Sequence, residues 1–148
     1  MANADSVSQF TLDAFGQGRV AIVSATKINT TGNAAITIPF LSGGLTVGTS
    51  TGNSGQVIIR RITVCNPNGS LASANVTIGT TADGANLITG NVLLSSVTGN
   101  ATFQDVALTS GNVAVSGFTT QCLYVNVTTA AGNSNTADIR VYGDVVSF

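Results

Sequence analysis

The side chains able to do chemistry are few. There are six aspartates (Asp5, Asp13, Asp83, Asp105, Asp138 and Asp144) and two cysteines (Cys65 and Cys122), with no histidine and no glutamate. A Ser-His-Asp or Cys-His relay cannot be assembled without histidine. Structural zinc takes four nitrogen or sulfur ligands, and two cysteines do not supply them. Two aspartates facing each other across a cleft could act as a glycosidase pair, but no spacing in the chain prepares one. The expectation is a protein that is not an enzyme and uses no cofactor and no metal.

Weaker patterns resolve the same way. Asp83-Gly84-Ala85-Asn86 faintly resembles a calcium loop, yet it lacks the alternating oxygen ligands and closing glutamate of an EF-hand. It reads as an Asp-Gly turn. Gly16-Gln17-Gly18 has no strand before it and no helix after it, so it is a turn and not a phosphate loop. Asn-x-Ser/Thr occurs at Asn29, Asn68, Asn75, Asn100 and Asn126, somewhat more often than chance places it in a chain this rich in serine, threonine and asparagine, but Asn75 and Asn126 fall within predicted strands. It is no sign of glycosylation.

The ions say more because they are scarce. Only 7% of residues are charged, against an average of about 25%. Arg60, Arg61 and Arg140 lie in predicted strands, as do Asp105, Asp138 and Asp144. Two roles are open: cross-strand pairs within the chain, or bidentate arginine–carboxylate contacts that fix a subunit boundary. Arg140, flanked by Asp138 and Asp144 on its own face, suits the first. Arg60 and Arg61 suit either, and are candidate interface residues.

These side chains need elements to hold them. The stretch richest in β-branched residues is Gln56–Asn66, which runs into the turn Asn66-Pro67-Asn68-Gly69. Strict alternation puts Ile58, Arg60, Ile62 and Val64 on one face and Val57, Ile59, Arg61, Thr63 and Cys65 on the other. Both faces are mainly apolar, so this strand should have protein on both sides, and the adjacent arginines should point opposite ways. Further strands are expected at Arg19–Lys27, Ala34–Phe40, Ala74–Gly79, Leu87–Ile88, Val92–Val97, Ala101–Leu108 and Val113–Val115, with a loop at 42–55. A closing hairpin is expected from Gln121–Thr128 and Asp138–Val146. Its inward residues would be Leu123, Val125, Val127, Ile139 and Val141, with Tyr124, Tyr142, Asp138 and Arg140 outward. Short strands separated by frequent turns predict an all-β chain, an antiparallel β-sandwich of the jelly-roll kind over residues 19–148.

Residues 1–18 do not look like strand. Ser6 with Gln9 has capping-box spacing, and Val7, Phe10 and Ala14 share a helical face. The segment reads as a short helix or as an extended arm that could reach a neighbouring subunit, and its Phe10, Leu12 and Phe15 need a hydrophobic place to sit.

Composition bears on assembly and location. A formal charge of −1 leaves little repulsion between copies, whereas soluble monomers usually carry about 25–35% charged surface residues. Much of the outside is therefore expected to be covered by sister subunits or a larger particle. Five scattered cations build no basic patch for nucleic acid, and no apolar run is long enough to span a membrane. Met1-Ala2-Asn3-Ala4-Asp5 has no secretory-signal character. The expectation is a chain made and kept in the cytoplasm, with Cys65 and Cys122 as buried thiols rather than a bridge.

With this composition and strand count, the chain resembles the small cement (decoration) proteins of tailed-bacteriophage heads, most closely over Gln56–Asn66 and Gln121–Phe148. The resemblance implies a homotrimer on the outer surface of the virion capsid, bound to the major capsid protein at local three-fold positions and stabilising the shell. It implies contacts from one end of the sandwich and from the N-terminal arm. No shared motif carries site residues across. Two alternatives stand beside it. One is a phage tail or head-fibre component. The other is a carbohydrate-binding or adhesin β-sandwich, for which Tyr124 and Tyr142 would be the glycan platform.

Overall fold

The structure, a computed structural model, describes residues 18–29, 31–37, 55–110, 113–116 and 122–147. The segment expected to be an arm or short helix, with Phe10, Leu12 and Phe15, lies outside the described residues but for Gly18, as does nearly all of the expected 42–55 loop. Nine strands form: β1 (Gly18–Lys27), β2 (Gly32–Thr37), β3 (Gly55–Cys65), β4 (Asn75–Gly79), β5 (Val92–Leu93), β6 (Phe103–Val106), β7 (Val113–Ser116), β8 (Cys122–Thr129) and β9 (Thr136–Ser147). No helix occurs among the described residues, as the shortage of good helix-surface residues requires.

The strands make two sheets in which every pairing is antiparallel. Sheet I has the order β1-β9-β3-β6, with β7 beside β6 on the same edge of β3; sheet II has the order β2-β8-β4-β5. The pairings nest: β1 with β9, β2 with β8, β3 with β6 and β7, β4 with β5. Two more, β3 with β9 and β4 with β8, close the set. The arrangement is consistent with a β-sandwich.

Between the sheets lies one core. Sheet I contributes Ile59, Ile62, Val64, Val106, Ile139 and Val141, and sheet II contributes Val76, Ile78, Leu123, Val125 and Val127. Each such side chain is worth about 1.5–3 kcal/mol relative to exposure. The inward residues expected on β8 and β9 are where alternation put them.

Three expectations fail. The closing hairpin does not form: β8 and β9 belong to different sheets, and their apolar faces meet across the core. The segment between them is held by partners distant in sequence. Ala131 N–H donates to the Ile28 carbonyl (2.9 Å), and Asn133 and Asn135 donate through Nδ2 to the Ser70 carbonyl (3.2 and 3.0 Å). Alternation also fails within β3. Its register with β9 skips Arg60 between Ile59 opposite Gly143 and Arg61 opposite Tyr142. This β-bulge brings Ile59 into the core beside Ile62 and Val64. Gly143 makes it possible, because a Cβ there would lie 2.0 Å from the Ile58 carbonyl oxygen. Finally, the two weak strands shrink. Leu87 makes a single bridge to Gly79, and of Val92–Val97 only the first two residues pair. Leu94 and Val97 instead turn into the core.

The Asp-Gly turn is present. Gly84 has φ +75°, and Asp83 accepts the Ala85 N–H at 3.0 Å. Bonds to the Thr81 hydroxyl and then to that N–H hold the Asp83 carboxyl below its usual pKa.

Candidate functional site

Ions gather on the outer face of sheet I. It holds Arg60, Arg61 and Arg140 of the five cations, and Asp105, Asp138 and Asp144 of the six anions. The strands of sheet II carry no formal charge at all. The register makes the sheet I face a small grid. Phe103, Cys65 and Asp138 form one row across β6, β3 and β9, while Asp105, Thr63 and Arg140 form the next. Arg61 and Tyr142 follow on β3 and β9.

Short-range contacts tie the grid together. The Thr63 hydroxyl donates to Asp105 Oδ1 at 2.5 Å, and Asn66 Nδ2 donates to Asp138 Oδ2 at 3.0 Å. Arg61 Nη1 stands 3.9 Å from Asp105 Oδ2, and Arg140 Nη2 stands 3.9 Å from Asp138 Oδ2. At that separation the charges attract without sharing a hydrogen bond. The Arg61 guanidinium lies over the Tyr142 ring, 4.6 Å from its centroid, a cation–π contact worth about 0.5–1 kcal/mol at such a surface. Beyond the grid, Arg60 Nε donates to Asp144 Oδ2 at 2.5 Å.

A surface pocket of about 270 Å³ opens on this face, lined among others by Arg61, Thr63, Asn66, Phe103, Asp105 and Arg140. Phe103 is 64% exposed. Cys65, on the pocket wall, is a free thiol. Burial first, with the Asp138 charge adding and the Arg140 charge opposing, raises its pKa above the ordinary thiol value. Among the described residues no three aspartates or cysteines come together as a metal site needs.

The expected site residues divide sharply. Arg60 and Arg61 were to point opposite ways. The bulge instead sets both against outer-face residues of β9, with carboxylate partners in their own chain. Arg140 pairs with Asp138, while Asp144 is taken by Arg60. Tyr124 and Tyr142 do not make a platform. They stand in different sheets, and Tyr142 is only 7% exposed beneath Arg61. Phe103 was not anticipated, whereas Arg61, Asp105 and Arg140 on the same pocket wall stood out as scarce ions. A strand over Ala101–Leu108 was expected, but not that it would lie along Val64 and Cys65. The chain matches no protein family, no curated protein and no solved structure.

Proposed function

We propose that this chain is a structural virion protein, a trimeric decoration protein that binds the outside of a phage head and stabilises the shell. The observation that carries this reading is the contrast between the sheets. Sheet II offers amides, hydroxyls and a half-buried Tyr124, with no formal charge on any of its strands. Charged residues are depleted and tyrosine enriched at the centres of protein interfaces. A covered face needs no ions for solubility, and uncharged polar groups are cheap to desolvate once bonded to a partner.

We also read the fold as a jelly roll. The nested pairings describe one long antiparallel hairpin, β1–β4 against β9–β5, and the β3–β9 and β4–β8 contacts are what rolling it up would create. Jelly rolls are a common architecture of viral shell domains. The major capsid protein of the same phage would be the partner.

Light scattering on the purified chain tests the oligomer, and mixing it with undecorated heads tests attachment. The expected results are a trimer, and added density at three-fold positions. A monomer at every concentration that leaves the heads unchanged would refute the proposal.

A further inference from the structure

We infer that the pocket beside Phe103 on sheet I is a saccharide-binding site, built from the exposed Phe103 ring and the polar groups of Asn66, Thr63, Asp105 and Arg140. Three observations narrow the ligand class. The first is charge. Arg61 and Arg140 on its wall are met by Asp105 on the wall and by Asp138 just outside it, so the charges around the site balance and favour neither an anion nor a cation. The second is lining. Most of the wall is guanidinium, carboxylate, amide and hydroxyl, unlike the largely apolar walls that hold hydrophobic ligands. The third is the ring: Phe103 is 64% exposed on an edge strand, where it offers one flat apolar surface among hydrogen-bonding groups. A neutral ligand with many hydroxyls and an apolar C–H face satisfies all three, and a pocket of about 270 Å³ has room for a sugar ring.

The backbone adds a separate indication. Asn66 (φ +50°) and Ala101 (φ +64°) are the two non-glycine residues with positive φ among the described residues, and both line this pocket. Asparagine tolerates that region, but alanine is strained there. Strain of this kind concentrates where a ligand is clamped. The inference stands apart from the shell role, since a coat subunit could lack the site and a monomer could have it.

Saturation-transfer NMR tests it, using the full chain with glucose, galactose, mannose, rhamnose and N-acetylglucosamine, each at millimolar concentration. Transfer to at least one sugar is expected. Phe103→Ala should weaken that binding by about tenfold, the equivalent of about 1.4 kcal/mol. Phe103→Trp should keep it, because the ring is preserved, and Asp105→Asn should weaken it while the fold, read by circular dichroism, is retained. Absence of transfer to every sugar, or wild-type binding by Phe103→Ala, overturns the inference. So does displacement of a bound sugar by acetate or phosphate at equal concentration, because a balanced site should not prefer an anion.

Discussion

Sheets I and II share one core yet face the outside with opposite chemistry. On sheet I the outer residues of β3, β6 and β9 form ion pairs, a cation–π contact and a hydroxyl–carboxylate bond. On sheet II the outer positions of β8 are Tyr124, Asn126 and Thr128. The segment after β4 reaches two of them but leaves Thr128 exposed: a Cβ on Gly84 would lie 3.5 Å from Asn126 Nδ2, and the Thr128 hydroxyl donates to Asn91 Oδ1 at 2.7 Å. The difference teaches where charge is needed. An ion on an exposed sheet keeps water and resists edge pairing, so concentrating the ions on one sheet leaves the other suited to contact with protein.

The largest expected effect probes how sheet I holds its arginines. Gly143→Ala places a methyl against the Ile58 carbonyl and should cost about 3–5 kcal/mol in urea denaturation, as overpacking against backbone does at its upper end. Gly99→Ala, with open space around it, should stay within about 0.5 kcal/mol. Equal losses in the two variants would mean that the bulge is not held by Gly143.

Next is the contrast itself. Thr128→Lys puts a charge on exposed sheet II surface and should change monomer stability by no more than about 1 kcal/mol. Self-association and head binding should fall by tenfold or more, about 1.4 kcal/mol. Undiminished binding would break the comparison. On sheet I, a double-mutant cycle on Arg60 and Asp144, both partly exposed, should return about 0.5–1 kcal/mol of coupling that fades with added salt.

Smaller effects sharpen the picture of the pocket. Ala101→Gly relieves a left-handed alanine, and the thermal midpoint should rise by the equivalent of a few tenths of a kcal/mol, since glycine also loosens the unfolded chain. The Cys65 thiol, raised by burial, favours the folded state while it stays protonated. That contribution is intact below the ordinary thiol pKa of about 8.5 and is lost as pH rises through the folded value. The disulfide reagent DTNB should therefore react more slowly with the native chain than with the unfolded one at pH 8. Equal rates would place the thiol in open water.

Much of the architecture was legible beforehand. Leu123, Val125 and Val127, then Ile139 and Val141, announced their inward faces because alternation is a local property of each strand. The long β3 stretch announced a strand but not its surroundings: protein was expected on both faces, whereas one face packs into the core and the other carries Arg61 and Thr63 of the surface ion grid. The candidate site was scarcely legible. Phe103 reads as one apolar residue in a short strand, and nothing near it in sequence names Cys65 or Asp105's partner Thr63.

Composition by itself determined that this chain would be built of strands, would lack histidine-based catalysis and would have few ions to place. Only the tertiary structure decided which strands share a sheet, separating β8 from β9 although they follow one another in the chain. Tertiary contacts also turned Arg60 and Arg61 to the same side. The physical reason is that alternation needs only neighbouring residues, whereas sheet partnership and a bulge depend on backbone hydrogen bonds between segments some eighty residues apart, such as Ile59 and Gly143.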